Sequence, residues 1–217
     1  MSIDRQAADE LLTTTRAVRK RLDFERPVPR DLIMECIAIA QQAPTPVNTQ
    51  CWRWVIVEDA EKRRAIAEIY RKVEKDSGYY PDTDESGNKV STQQERVYDS
   101  IAHLAANLQR APYFVIPCLE EPMPVAGFGF RATAAVASNY AGIYPAMWSF
   151  MLALRARGLG SVVTTAHLVE EQKVADILGI PDTVTQCALL PVAYTIGEDF
   201  KPAKRPPAES IVHWDKW

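Results

Sequence analysis

The segment from Thr133 to Arg157 constrains the fold of this chain more than any other, because it predicts a helix that is apolar on more than one side. A helix of that kind lies in the middle of a domain or in an interface, since a surface helix keeps one polar side. Gly158-Leu159-Gly160 follows directly and ends the helix. Other elements, or another subunit, must therefore cover this helix on several sides.

The composition indicates one globular domain. The chain has 217 residues, of which 47% are hydrophobic and 24% charged, and such a chain can build a core that needs no disulfides. The net charge of −3 does not indicate a general nucleic-acid surface. The N-terminus lacks the apolar core of a signal peptide, and no long apolar window predicts a membrane span. We expect a cytoplasmic protein that binds neither nucleic acid nor a membrane.

The cysteines and histidines do not indicate a metal site. The four cysteines lie far apart and form no CxxC pair, which favours buried thiols in a reducing compartment. The three histidines do not join them at the spacing of zinc ligands. We therefore expect no bound metal.

Hydrophobic periodicity predicts helices and strands that do not alternate strictly, which favours an α+β fold over a doubly wound sheet. The predicted helices span 5–14, 29–43, 60–74, 96–110, 133–157 and 170–178. The predicted strands span 53–59, 111–120, 161–166 and 183–197. The second strand is apolar enough to be buried on both faces, and Pro191 places the fourth at an edge or a bulge. No GxGxxG follows a strand, so a Rossmann site has no support.

Two further segments lack periodicity. Residues 75–95 are polar and rich in turn formers, which is typical of a mobile or functional loop, so both a lid and a solvated insertion without a role are open. The proline-containing tail after residue 197 predicts extended structure. Because Trp214 and Trp217 rarely end a free tail, we expect it to pack, for instance on a second subunit.

Two short basic patches interrupt this otherwise acidic chain. They consist of Arg16, Arg19, Lys20 and Arg21, and of Lys201, Lys204 and Arg205. Arg16 and Arg19 are three residues apart, so they could share a helical face or converge on one anion. Arginine makes bidentate contacts to phosphate, which suits a phosphate monoester. Solvated surface charge is the alternative interpretation.

The segment APTPVNTQCW, from Ala43 to Trp52, connects the second predicted helix to the first predicted strand. Asn48 and Gln50 offer both donors and acceptors, and Thr45 adds a hydroxyl. A uracil-like ring or a flavin presents an edge that needs this mixture. Alternatively, the two amides bond the backbone of their own turn. For Trp52, core packing is the preferred interpretation.

In this order, the motifs resemble those of the FMN-dependent nitroreductase family over nearly the whole chain. Its R-S-x-R motif stands here as Arg16-Ala17-Val18-Arg19, and its A-P-S-x-x-N-x-Q-P-W motif as APTPVNTQCW. Its L-x-A-x-x-x-G-L-G helix end stands as YPAMWSFMLALRARGLGS, and its basic-proline segment as AKRPP. Ala17 replaces a small hydroxyl residue, which removes one hydrogen bond to phosphate. Cys51 replaces a proline, and Thr45 keeps the hydroxyl of a serine.

The resemblance implies a nitroreductase-like α+β fold over residues 1–217, with 75–95 as a candidate lid insertion. It implies a mixed, mainly antiparallel central sheet flanked by helices. Two subunits would form a homodimer with FMN at each interface. The helix from Tyr144 to Arg157 would be the dimer core, and the tail would wrap the partner subunit.

The resemblance also implies the residues that contact FMN. The R-S-x-R positions and two tail cations would surround its phosphate and ribityl chain: Arg16, Ala17, Arg19, Lys204 and Arg205. The other positions would lie near the ring system, three of them reaching it from the second subunit: Pro44, Thr45, Asn48, Pro145, Thr164 and Thr165.

The activity implied by the resemblance is a ping-pong cycle in which NAD(P)H is the co-substrate and reduces FMN. A small-molecule acceptor, nitroaromatic or quinone-like, then takes the electrons. No side chain need act as a nucleophile, so no catalytic residue is named. Two alternatives stay open: a flavin-binding protein with little turnover, used for storage or sensing, and a specialised relative such as a reductive dehalogenase or a flavin-destroying enzyme. A weak RNA-binding patch is disfavoured by the net acidity.

Overall fold

A computed structural model describes residues 3–76, 80, 81, 83, 87–122 and 132–217. The helices are α1 (Arg5–Thr14), α2 (Arg30–Ala40), α3 (Ala60–Asp76), α4 (Thr92–Asn107), α5 (Ala132–Ala141), α6 (Tyr144–Arg155) and α7 (Glu171–Leu178). The strands are β1 (Leu22–Asp23), β2 (Trp52–Val57), β3 (Tyr113–Glu120), β4 (Leu159–Gly160), β5 (Val184–Gln186) and β6 (Leu190–Thr195). Within these described ranges, no helix is long and apolar enough to cross a membrane.

The strands form one six-stranded sheet in the order β1-β6-β3-β2, with β4 also paired to β6 and β5 also paired to β3. Every pairing between these strands is antiparallel. In β3 all residues from Tyr113 to Leu119 are buried, which confirms a strand covered on both faces. The predicted α+β class is confirmed as well.

The sheet separates two apolar cores, because successive side chains of a strand point to opposite faces. Tyr113, Val115 and Leu119 of β3 belong to the first core, which α2 and α6 cover. Phe114 and Ile116 belong to the second core, with side chains of α3 and α4 and with Val18 of the N-terminal segment. Each face of the sheet thus has its own helical layer.

The single helix predicted over 133–157 is wrong, since α5 ends at Ala141 and α6 begins at Tyr144. Pro145 lies in the first turn of α6, where its missing N–H costs nothing, whereas inside a continuous helix it would remove a hydrogen bond. Ile143, before the new helix, has φ −127° and ψ −37°. The proline thus starts a second helix.

The predicted strand 161–166 is also wrong. After α6, the chain pairs with β6 at Leu159 and Gly160, before the predicted strand, and within 161–166 the described pairing is a single bridge between Thr164 and Leu189, the residue before β6. Residues 161–163, which have no pairing between these two contacts, lie opposite Pro191. Because the N–H groups of Leu189 and Thr195 both bond toward this side, to Thr164 and Gly158, the nitrogen of Pro191 faces it too and has no hydrogen to donate.

The predicted strand 183–197 is divided into β5 and β6. Of the two positions expected for Pro191, an edge or a bulge, the edge is wrong, because β6 pairs with β4 as well as with β3 and β1. The proline is tolerated in this interior strand because the ladder on its nitrogen side is interrupted.

We expect Gly160→Ala to lower the free energy of unfolding by about 1–3 kcal/mol, the usual cost of overpacking. A Cβ at this position would lie 2.7 Å from Cγ2 of Thr195 and 3.0 Å from Cβ of Val18. Denaturant unfolding measures the change. Adding Thr195→Ser removes the nearer methyl and keeps the hydroxyl bond to Gly158, so the double variant should regain part of the loss. Additive destabilisation in the double variant would contradict this contact.

His167 is fully buried in the 3-10 turn Ala166–Glu170, which packs against α3 and α7. Neither ring nitrogen has a hydrogen-bond partner among the described residues, and burial lowers the pKa of His167 from 6.5 to about 4. The folded protein therefore keeps this imidazole neutral where the unfolded chain would protonate it.

Because the unfolded chain binds the extra proton, stability should be lost as the pH falls from 6.5 to about 4. The expected loss is on the order of 3 kcal/mol. Unfolding curves across this pH range test it. His167→Leu should flatten the pH dependence, while His213→Leu, on the exposed tail, should leave it as in the wild type. An equally steep profile for His167→Leu would assign the dependence to other groups.

Candidate functional site

The basic segment 16–21 is fixed against the sheet and against the tail. The N–H of Val18 donates to the carbonyl oxygen of Ser161 at 2.9 Å, beside the glycine of β4. Nη1 of Arg16 donates to the carbonyl oxygen of Lys201 at 2.8 Å, which brings the two ends of the chain together. The segment is thus held at the end of the sheet, and it turns at residues 19–21 before β1 begins.

A cavity of about 310 Å³ lies between this segment, α3, α4 and the chain after β4. Arg19, Thr164 and Thr165 line it, as the resemblance implied for one site. The other walls are mainly apolar or aromatic: Tyr70, Tyr98, Ile101, Leu104, Val162, Val163 and Ala166, with the carboxylate of Glu74. The cavity is therefore apolar with a few convergent polar groups, which is typical of a small-molecule site.

Arg19 is a half-buried cation in the wall of this cavity. Its Nη1 lies 3.5 Å from Oγ of Ser100, a long contact, and among the described residues it forms no ion pair. Burial lowers the pKa of Arg19, while the nearby Tyr70 and Tyr80 partly oppose this. A guanidinium that is desolvated without a carboxylate is suited to an anionic ligand.

The two threonines are held differently. The backbone of Thr164 exchanges hydrogen bonds with Leu189, and its hydroxyl lies 2.8 Å from the hydroxyl of the buried Tyr70, so either can donate. Thr165 is exposed, and no contact of its hydroxyl is found in the described part of the chain. Thr164 is therefore a fixed wall, and Thr165 offers a free hydroxyl.

Tyr80 of the 75–95 segment contacts two residues of the cavity wall, whereas residues 77–79, 82 and 84–86 of this segment lie outside the described residues. The hydroxyl of Tyr80 donates to Glu74, and its ring meets that of Tyr98 edge-on at 5.3 Å. Burial and the neighbouring Glu74 raise the pKa of Tyr80. The lid stays a prediction, and α4 begins within this segment, at Thr92.

A groove of about 500 Å³ on the other side of Arg19 is formed by the basic segment and the start of the tail, and we call it the basic groove. Its walls are Arg16, Ala17, Val18, Arg19, Lys20, Arg21, Ser100, Asp199, Phe200 and Lys201. Lys20 is paired with Asp99, and Arg21 with Asp199. The structure therefore brings Arg16, Ala17 and Arg19 to one groove.

Lys204 and Arg205 are not brought to this groove. Both are exposed, and Arg205 donates to the carbonyl oxygen of Lys204 at 3.1 Å. Neither is among the residues that line the basic groove. Lys201, the other cation of this patch and one for which no site role was predicted, takes the position beside Arg16.

The APTPVNTQCW segment lies on the first-core side of the sheet, because Ala43, Cys51 and Trp52 pack in that core. The cavity lies on the second-core side. Pro44, Thr45, Asn48 and Pro145 are thus separated by the sheet from the cavity of the same chain, and their role stays a prediction. Trp52 is buried in the core as predicted.

The loop is tightly wound on itself. Nε2 of Gln50 donates to Oδ1 of Asn48 at 3.0 Å, and the N–H of Gln50 donates to Oγ1 of Thr45 at 3.3 Å. Val47, Asn48 and Gln50 have φ of 45°, 57° and 50°. Positive φ is strained for a β-branched residue, yet Val47 is 93% exposed and has no packing that would explain it.

A family model described as "Nitroreductase family" matches residues 12–194. The chain is 28% identical over 216 residues to an NADH dehydrogenase of Thermus thermophilus, covering 96% of this chain and 99% of the relative. It is also 28% identical over 204 residues to an iodotyrosine deiodinase of Thermotoga neapolitana, covering 94% and 96%.

A solved structure of an iodotyrosine deiodinase bound to FMN and 3-iodo-L-tyrosine has the same fold, with a TM-score of 0.68 and 24% identity over 96% of this chain and 99% of that one. The family match covers the basic segment, the APTPVNTQCW loop, both halves of the apolar helical stretch and the threonines after β4. On this match, the chain belongs to the Nitroreductase family.

Proposed function

We propose that this protein is an FMN-dependent oxidoreductase that takes reducing equivalents from NAD(P)H and reduces a small organic acceptor. Family membership supports the redox class, and the relatives include a protein named NADH dehydrogenase. Nitroaromatic and quinone-like compounds are the proposed acceptors. When bound, FMN would accept hydride from the nicotinamide and pass electrons to the acceptor. A cytoplasmic location stays a prediction.

One observation carries the proposal: the half-buried guanidinium of Arg19 without a carboxylate partner among the described residues. A partly desolvated cation without a partner carries a cost that an anionic ligand would offset. Arg19 lies where the basic groove meets the apolar cavity, so one ligand can place a phosphate in the groove and a ring in the cavity. The residues present therefore fit FMN.

The side chains at the phosphate end and at the ring end of the site have different proposed roles. Arg16 and Arg19 would bind the phosphate and the adjoining chain, and Ala17 would let the backbone approach. Thr164 and Thr165 would offer hydroxyl or backbone hydrogen bonds at the ring edge. Lys204 and Arg205 would contribute after a movement of the tail, since in the single chain neither lines the basic groove.

A homodimer would complete the site. Apolar side chains are exposed on the helices of the first core: Met34 and Ile39 on α2, Val136 on α5, and Tyr144 and Trp148 on α6. Apolar residues exposed on neighbouring helices are typical of an interface. A second copy packed there would cover them and could bring its Pro44, Thr45, Asn48 and Pro145 toward FMN. The tail, with Trp217 fully exposed, would also be covered.

Reductive dehalogenation of a halogenated aromatic acceptor is the second candidate function. The iodotyrosine deiodinase of Thermotoga neapolitana is as similar in sequence as the NADH dehydrogenase. The aromatic walls of the cavity, Tyr70 and Tyr98, accept a flat ring in either case. A flavin-binding protein with little turnover and a flavin-destroying enzyme stay as further alternatives.

Steady-state turnover separates these functions. With purified, FMN-loaded protein, we expect oxidation of NADH or NADPH to accelerate on addition of a nitroaromatic or a quinone, followed by absorbance at 340 nm. Iodide release from 3-iodotyrosine under the same reductants would favour the second candidate. Bound FMN without turnover of any of these acceptors would favour the flavin-storage alternative and contradict the main proposal.

We expect Arg19→Ala to weaken FMN binding by about 1.5–3 kcal/mol, the usual value for a hydrogen bond to a charged group. Quenching of flavin fluorescence on binding measures the dissociation constant. Arg64→Ala is the matched control, because it removes the same charge from an exposed i,i+3 pair on α3 and should leave binding unchanged. Equal affinities of Arg19→Ala and the wild type would remove Arg19 from the site.

We expect Trp148→Glu, at a position 42% exposed on α6, to dissociate the dimer and weaken FMN binding at least tenfold, which corresponds to about 1.4 kcal/mol. A buried unpaired carboxylate opposes association. Size-exclusion chromatography with light scattering gives the mass. Ile3→Glu, at another exposed apolar position, is the control and should stay dimeric. A wild-type monomer that binds FMN tightly would refute the shared site.

A further inference from the structure

The start of the tail is fastened to the body of the protein through the ring of Phe200. Two guanidinium groups lie over this ring: Cζ of Arg21 is 4.1 Å and Cζ of Arg155 is 4.7 Å from its centroid. A cation over an aromatic face is attracted by the ring quadrupole. Phe200 thus connects the basic segment, which holds Arg21, to the end of α6, which holds Arg155.

The same two arginines also bind the residues just before the ring. Nε of Arg21 donates to the carbonyl oxygen of Ile196 at 2.7 Å, and its Nη2 pairs with Asp199 at 2.9 Å. Nη2 of Arg155 donates to the carbonyl oxygen of Glu198 at 3.1 Å. Because Asp199 is neutralised by Arg21, the carboxylate in the wall of the basic groove does not oppose an anion there.

The residue after the ring is placed in the basic groove. The carbonyl oxygen of Lys201 accepts from Arg16 at 2.8 Å, and Lys201 lines the groove together with Arg16, Ala17 and Arg19. Among the described residues, Lys201 forms no ion pair. The groove therefore has three cations without a carboxylate partner, and one of them comes from the tail.

We infer that Phe200 is a positioning residue for the phosphate end of the ligand and that Lys201 joins Arg16 and Arg19 there as a phosphate-binding cation. The ring fixes the course of the chain at 199–201, which places the carbonyl that orients Arg16 and the ammonium of Lys201 at the same time. Without the ring, both cations would have to be ordered when the ligand binds, and that cost would reduce affinity. This inference rests on the proposed function, because the phosphate is that of FMN.

The test compares FMN with riboflavin, which lacks the phosphate. Phe200→Leu keeps apolar bulk but removes the aromatic face, and we expect it to weaken FMN binding about tenfold, the combined effect of two cation–π contacts. Riboflavin binding should not change. Phe200→Tyr keeps the ring and should bind FMN as the wild type does. Lys201→Gln should also weaken FMN binding without affecting riboflavin.

Arg155→Met tests the same inference from outside the groove, since Arg155 is not among the groove residues and can act only through the tail. It should weaken FMN binding severalfold and leave riboflavin binding unchanged. Arg110→Met is the matched control, because it removes a guanidinium from over another ring, Phe24, and should change neither affinity. Thermal unfolding of each variant verifies that the fold is intact.

Three outcomes would overturn the inference. The first is an unchanged FMN affinity in Phe200→Leu and Arg155→Met, and the second is an equal loss of affinity for FMN and for riboflavin. The third is an FMN affinity of Phe200→Leu that equals that of Phe200→Tyr. In these cases the wild type still binds FMN, so the proposed function stands. A wild-type protein that binds neither flavin contradicts the proposed function and the inference together.

Discussion

The arrangement of the site depends on one close contact, between the basic segment and the end of β4. Gly160 has no side chain, and the space that a Cβ would need is filled by Val18 and by the methyl group of Thr195. The adjoining hydrogen bond from Val18 to Ser161 fixes the height of the segment along the sheet. Since Arg16 and Arg19 flank Val18, this contact sets where both guanidinium groups lie. The cavity with Thr164 on one side and the basic groove on the other are consequences of it.

The sequence allowed the fold class and the covered strand β3 to be predicted, because these depend on local hydrophobic patterns. The resemblance implied one site for Arg16 and Arg19, and the structure brings both to one groove. Predictions were wrong where a segment's structure depends on residues that are distant in sequence but face it in the folded chain. The strand expected at 161–166 is interrupted by a proline that is distant in sequence, and nothing within 161–166 signals it. The break before Tyr144 did have a local signal, Pro145, which is favourable only in the first turn of a helix.

In the candidate site, too, some residues were predictable from motifs, and others depend on packing between distant parts of the chain. Motif order alone pointed to Lys204 and Arg205 as tail cations, whereas the structure places Lys201 beside Arg16, because Phe200 fixes the chain one residue earlier. Tyr70 has no motif around it, yet its hydroxyl fixes Thr164 across the second core. Such partners are found only when the packing is known. The strained loop at Val47 is likewise invisible in the sequence, since neither valine nor asparagine there demands positive φ.

Pro191 has an effect beyond the strand that contains it. A single absent hydrogen atom leaves residues 161–163 of the neighbouring segment outside the ladder, although they lie along an interior strand. A wall of regular sheet would offer a ligand only side chains, because its backbone groups are already bonded to each other. Here Val162 and Val163 line the cavity without partners in the ladder, while the stretch is anchored at both of its ends. A proline at this one position thus exchanges pairing within the sheet for a cavity wall whose main chain is not used up by the ladder.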